Sequence, residues 1–130
     1  MDSPPRLLDQ VPLTIQSGDA THRFMVEVAR SPEDQEVGLM NRAALADDCG
    51  MIFPYDPPRQ VAFWMKDTLI PLDMIFVAPD RRILAIGANA VPLSLDPVPS
   101  GGTVLAVLEI KGGWAAMLGI KPGDRVDWKR

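Results

Sequence analysis

Few charges fall in the apolar centre of this chain, and those few are where chemistry could sit. Between Val61 and Ala78 the only ionisable side chains are Lys66, Asp67 and Asp73, and between Ile83 and Ile110 they are Asp96 and Glu109. Burying a charge alone is expensive, so charges flanked by apolar strand residues are paired, hydrogen-bonded or functional. If a strand runs to Lys66, alternation puts Ala62, Trp64 and Lys66 on one face and Val61, Phe63 and Met65 on the other. An indole beside an ammonium can stack a ligand ring and hold an anionic group, and Thr68 can add a hydroxyl. The plainer account makes Trp64 a core residue with Lys66 lying over it as a surface cation. Asp73 shares a face with Pro71, Ile75 and Val77. It is expected to accept backbone hydrogen bonds and fix the turn at Lys66-Asp67-Thr68, or else to pair with Arg42 or Lys66. Glu109 is expected in a buried pair with one of the same two cations. Arg42, Trp64, Lys66, Thr68, Asp73 and Glu109 are therefore the candidate ligand-binding residues. No residue is assigned as catalytic or as a metal ligand.

The remaining reactive side chains offer less. One cysteine, Cys49, and one histidine, His22, cannot form an intramolecular disulfide, a thiolate and imidazole zinc site or a two-histidine metalloprotease site. Asp47 and Asp48 precede Cys49 and disfavour its thiolate, which argues against a nucleophile. His22 ends an alternating strand on the face of Phe24 and Val26 and reads as structural. The seven methionines could suit copper(I), but they are spread among apolar neighbours and read as core filling. No Gly-x-Ser-x-Gly elbow or phosphate-binding glycine motif is present. No cofactor is implied.

Charge narrows the partners. The chain carries 13 basic and 17 acidic residues, net −4. Its basic residues are scattered, with only Arg81-Arg82 and Lys129-Arg130 adjacent. A nucleic-acid partner is not expected without a patch that neutralises phosphates. The richest apolar stretch, 69–78, is broken by Pro71 and Asp73, well short of the roughly 18 residues a spanning helix needs. The first residues lack the basic and apolar regions of a signal peptide, and a chain beginning after a cleaved signal would look the same.

The elements that must position these residues are short. At 130 residues the chain is long enough for one domain that buries roughly two thirds of its surface. Residues 1–12 read as a flexible tail and 13–130 as one β-rich domain. Strands are expected at 13–16, 22–29, 50–53, 61–65, 69–77, 83–86, 103–110 and 125–128. Pro54 should close the third, Asp56-Pro57-Pro58 should be a loop, and 89–102 should be irregular. The strand 103–110 is apolar except for Glu109, so both its faces should be covered. Ser31 and Pro32 start a helix that Gly38 ends within two turns. A further helical turn is expected around Arg42 to Leu45, and a short helix at 114–118 capped by Gly119. The expected fold is mainly β: a single-domain β-sandwich or distorted barrel of short strands with two or three short helices.

Five blocks occur in order: Gly38-Leu39-Met40-Asn41-Arg42, Gly50-Met51-Ile52-Phe53, the run from Phe63-Trp64-Met65-Lys66 to Pro71-Leu72-Asp73, Leu108-Glu109-Ile110-Lys111-Gly112-Gly113, and Gly119-Ile120-Lys121-Pro122-Gly123-Asp124. With these blocks the chain resembles the bacterial and archaeal family known as domain of unknown function 192, from about Leu13 to Trp128. The Phe-Trp-Met-Lys to Pro-Leu-Asp block is the most specific. The resemblance implies a compact, sandwich-like β-domain, often exported behind a signal peptide, hence a periplasmic or secreted location with the cytoplasm as the alternative. It implies no activity. Asp67 stands where the family usually carries Asn, Asn41 stands where an aromatic is common, and Cys49 and His22 lie outside the pattern. Residues 114–126 are also similar to a stretch of PDZ domains, but the carboxylate-binding loop of those domains is missing.

Three functions follow as expectations. The leading one is non-catalytic binding of a small, partly apolar, anionic ligand at the six candidate residues in a cell-envelope domain. The alternatives are a small hydrolase-type enzyme using Asp73 or Glu109 with Lys66 or Arg42, and a structural or protein-interaction module.

Overall fold

A computed structural model describes residues 8–129. Nine strands and two short helices follow in the order β1 (Gln10–Ser17), β2 (Ala20–Val28), α1 (Pro32–Val37), β3 (Cys49–Arg59), β4 (Ala62–Phe63), β5 (Leu72–Val77), β6 (Ile83–Ala90), β7 (Val98–Pro99), β8 (Val104–Lys111), α2 (Trp114–Leu118) and β9 (Arg125–Trp128). Seven strands form one sheet in the order β6-β5-β8-β3-β2-β1-β9, and β4 pairs with β7 in a small second sheet. In the large sheet β2 and β3 run parallel, and every other neighbouring pair is antiparallel.

The large sheet curls until its two ends meet. A bridge joins Arg82 to Arg125. Ile83 N donates to Asp124 O at 2.9 Å, and Val126 N donates to Arg81 O at 2.8 Å. The result is a half-barrel, the distorted-barrel form of the mainly β fold expected from sequence.

Strand alternation then builds two cores. One holds Ile15, Val26, Ile75, Leu108 and Val126 with Ala115 of α2. It draws on strands near both ends of the sheet, so it is the inside of the curl. The other holds Met51, Phe53, Met74, Phe76 and Val107, together with Leu39 and Met65 from the connecting segments. With cores on both faces, β8 is buried from Val104 to Ile110, as its near-continuous apolar sequence requires.

Local signals placed the helices well. Ser31 Oγ accepts from Asp34 N at 3.0 Å, with Pro32 in the first turn of α1. Gly119 takes the left-handed conformation, φ 74°, after α2. Several strand limits differ from expectation. β1 begins at Gln10, so the last residues of the expected tail 1–12 belong to the sheet; residues 1–7 lie outside the described residues. β3 runs through Pro54 and Asp56-Pro57-Pro58 to Arg59, where an irregular register accommodates the prolines. The strand expected at 61–65 shrinks to the two residues of β4, and the next begins only at Leu72, because Asp67 turns the chain with φ 54°. β6 continues to Ala90. No helical turn forms around Arg42 to Leu45. Asn41 there has φ 63° and donates its N–H to Asp67 O at 2.8 Å, which pulls the backbone off a helical path.

Gly112 marks a close approach between backbones. A Cβ placed on it would lie 2.8 Å from Pro71 Cβ and 2.9 Å from Pro71 C. Gly112→Ala is expected to cost about 2 kcal/mol through overpacking against main chain, read as a lower urea midpoint at unchanged slope. A wild-type midpoint would mean that the Pro71 segment moves aside freely.

Candidate functional site

The outer core does not close completely. Between α1 with its following loop, the middle of β3 and the segment 62–68 it leaves a cleft of about 350 Å³. Glu109 lines its base. Trp64, Lys66 and Thr68 line it from the β4 side, Phe53 and Tyr55 from β3, and Val37 of α1 and Leu39 just after it from the helix side. The Phe53 and Phe63 rings meet edge to face, centroids 4.9 Å apart, which stiffens the apolar wall.

Glu109 owes its position to strand parity. Its cross-strand neighbours are Met51 on β3 and Met74 on β5, both fully buried. Its side chain therefore leaves β8 between two thioethers that offer a carboxyl no strong donor. Glu109 is 4% exposed. Among the described residues its carboxyl has no hydrogen-bond or ion-pair partner. Burial pushes its pKa up to about 8, so at neutral pH it is predominantly a carboxylic acid and can donate a hydrogen bond into the cleft. Burial first, and the Glu109 charge second, push the Tyr55 hydroxyl up to about 12.

At the mouth, Trp64 is about half exposed and the Lys66 Nζ lies 5.3 Å from the centre of its ring. Trp64 and Lys66 are thus adjacent, although the strand expected to carry both ends at Phe63, so their contact arises in the loop after β4 and not from strand alternation. Thr68 is buried, and its Oγ1 donates to Lys66 O at 3.1 Å, tightening the turn that presents the lysine. Glu36 of α1 is the remaining charged residue on the cleft wall.

Two candidate residues lie elsewhere. Arg42 spends its guanidinium on Glu27 of β2 in a two-pronged pair, Nη2 to Oε1 at 2.9 Å. It does not line the cleft. Asp73 is fully buried. Its Oδ1 accepts from Asn89 N at 2.8 Å and Gly113 N at 2.9 Å, and its Oδ2 accepts from Ala115 N at 2.9 Å. Backbone capture was one of its two expected roles, but the segment it fixes is the entry to α2 rather than the 66–68 turn. In register Asp73 faces Ile110, while Glu109 faces Met74. The two carboxylates thus leave the sheet on opposite sides. Neither forms the expected pair with Arg42 or Lys66, since Arg42 is held by Glu27 and Lys66 makes no ion pair among the described residues.

Phe53, Tyr55 and Leu39 were missed as site residues. Phe53 and Leu39 sit in the blocks Gly50–Phe53 and Gly38–Arg42, which were the available signal. Cys49 is half-buried, and burial first and Asp48 second push its thiol up, in keeping with an unreactive thiol. Neither Cys49 nor His22 lines the cleft. Among the described residues no cluster of three His, Cys, Asp or Glu could hold a metal ion, and no helix is long and apolar enough to cross a membrane.

These features define a class: a small half-barrel β-domain with an open, aromatic-walled cleft over a buried glutamate. The chain belongs to the family described as uncharacterized ACR, domain of unknown function 192, which matches residues 13–128. Among solved structures it is similar to a protein of unknown function from Novosphingobium aromaticivorans, at 53% identity over 93% of this chain and 86% of that one, TM-score 0.91. It is also similar to a "putative transcription regulator" from Sinorhizobium meliloti, at 38% identity over 96% of this chain and 98% of that one, TM-score 0.93. No curated protein matches it.

Proposed function

We propose that this chain is a non-catalytic binding domain whose cleft takes a small, partly apolar, anionic ligand. The observation that carries the reading is the juxtaposition of the partnerless Glu109 carboxyl, the aromatic walls and the Trp64–Lys66 pair around one opening. An apolar body packs against Phe53, Phe63 and Trp64. Its anionic head lies between the Lys66 ammonium and the protonated Glu109, which donates to it. Ionised Glu109 repels the same head.

Affinity for such a ligand therefore falls once pH passes the Glu109 pKa of about 8, by about tenfold per unit well above it. Calorimetric titration with benzoate, its amide and benzylamine tests this. Benzoate is expected to bind best, to weaken as pH rises through 8, and to lose about tenfold in Lys66→Ala, the size of one charged contact. Preference for benzylamine with affinity rising with pH, or silence with all three probes, would overturn the reading.

The hydrolase-type alternative keeps only Glu109 and Lys66, since Asp73 is sealed beneath three backbone donors and Arg42 is held by Glu27. A protonated carboxyl in a cleft suits a general acid, and turnover of small esters that Glu109→Gln abolishes would favour it. A DNA-binding role, prompted by the name of the Sinorhizobium protein, lacks a long basic stripe here, and we expect no retention of duplex DNA in a mobility-shift assay. Our reading includes a cell-envelope location, periplasmic or secreted, with the cytoplasm as the alternative; fractionation of native cells decides between them.

A further inference from the structure

A second cleft, of about 510 Å³, opens on the other side of α1. Pro32, Gln35 and Tyr55 line both clefts. Gln35 Nε2 donates to Ala29 O and to Pro54 O, both at 3.0 Å, and so pins α1 to β3 between them.

The charge of this second cleft runs against that of the chain. Arg30, Arg59 and Lys129 line it with one acid, Asp56, in a protein of net charge −4. Arg30 is held by Asp9, Nη1 to Oδ2 at 2.8 Å. The Arg59 guanidinium lies 5.4 Å from the centre of the Tyr55 ring. Its Nε makes only a long hydrogen bond to Pro57 O, at 3.5 Å. Among the described residues the two terminal nitrogens of Arg59 have no protein acceptor, and Lys129 has no ion-pair partner. Apolar and aromatic surface completes the cleft: Val28, Pro54, Tyr55 and Trp128. Arg81 lies over the same Trp128 ring, 4.5 Å from its centre, and holds the indole in place.

The Arg59 guanidinium and the Lys129 ammonium beside aromatic walls match a doubly charged, forked oxyanion joined to a flat apolar group. We infer that this cleft is a second ligand site, selective for the phosphate monoester of an aromatic group, with Arg59 and Lys129 holding the phosphate and Tyr55 and Trp128 flanking the ring. The inference does not depend on the first cleft.

Phenyl phosphate is the probe, with inorganic phosphate and benzyl alcohol as its two halves. Nitrogen-labelled protein reports through the Trp128 indole and the Arg59 Nε signals. Phenyl phosphate is expected to shift both saturably and to bind at least about tenfold more tightly than inorganic phosphate or benzyl alcohol, because each half lacks one set of contacts. Arg59→Ala and Lys129→Ala should each weaken it about tenfold, the loss of one charged hydrogen-bonding partner. Arg59 is the exposed last residue of β3 and Lys129 is exposed just after β9, so unchanged far-ultraviolet spectra will confirm folding. Lys66→Ala in the first cleft should leave the saturable shifts at Trp128 and Arg59 unchanged, which separates failure of this site from failure of the other. Equal affinity in both Arg59→Ala and Lys129→Ala read at Trp128, equal binding of benzyl alcohol, or no saturable shift at Trp128 would overturn the inference.

Discussion

Glu109→Gln is expected to make this protein more stable at neutral and mildly alkaline pH and to flatten its stability profile between about pH 4.5 and 8. The wild-type carboxyl ionises near 4.5 when solvated and only near 8 when folded. Between those values the folded state keeps a proton that the unfolded state has released. Stability therefore falls as pH rises through the window and levels off above the folded pKa. The loss is about 3 kcal/mol at pH 7 and approaches roughly 5 kcal/mol above pH 8. Glutamine has nearly the shape of the protonated acid and no proton to lose, so it escapes this penalty. Thermal melts of the two proteins should coincide near pH 4.5 and diverge by about 10 °C at pH 7 to 8. Parallel profiles, or a less stable glutamine variant at pH 8, would show that Glu109 is ionised in the folded protein and paired in solution.

That expectation bears directly on function. A penalty of this size is a large fraction of the 5–15 kcal/mol that typically holds a domain together. A leucine or methionine would fill the place between Met51 and Met74 without it. On the binding role proposed above, that cost is what keeps a polar group at the base of an open cleft. Glu109→Leu should accordingly raise stability at neutral pH while abolishing the pH-dependent binding of benzoate.

Asp73→Ala is expected to have the opposite consequence, a loss of about 3–5 kcal/mol. Three backbone N–H groups, from Asn89, Gly113 and Ala115, end on its two oxygens. They join three separate parts of the chain, the end of β6, the glycine pair after β8 and the first turn of α2. Removing the carboxylate strands all three donors where Asp73 is fully buried, and each unsatisfied buried donor costs about 1–3 kcal/mol. Asp73→Asn should recover part of the loss, because its one oxygen can still accept from Asn89 and Gly113. Its amide nitrogen would then face the Ala115 N–H, donor against donor. Urea unfolding of both variants, with hydrogen exchange at Gly113 and Ala115, measures this. A midpoint close to wild type in the alanine variant would mean that water replaces the carboxylate, and that the entry to α2 does not depend on it.

The different fates of Asp73 and Glu109 show what sequence could resolve. Both were legible as isolated charges in apolar strands, and burial of both followed from their neighbours. Their faces were not legible. Side chains alternate along a strand, but which parity faces the inside of the curl depends on cross-strand register, a relation between residues far apart in sequence. Asp73 opposite Ile110, and Glu109 between Met51 and Met74, are decided by the pairing of β3, β8 and β5. Arg42 shows the same limit. Nothing local assigns it to Glu27, which lies 15 residues earlier on a different element.

By itself, the sequence determined the features that rest on neighbouring residues. The Ser31 and Pro32 helix start, the Gly119 cap, the doubly covered β8 and the mainly β character all follow from short-range sterics, capping and alternation. Family membership was legible in the five motif blocks. Tertiary structure alone decided that the sheet curls until Arg82 meets Arg125, that β3 survives its prolines, and that Glu109 and not Asp73 reaches the cleft. Those outcomes depend on strand register and on contacts between distant segments, which are fixed only when the whole core packs at once.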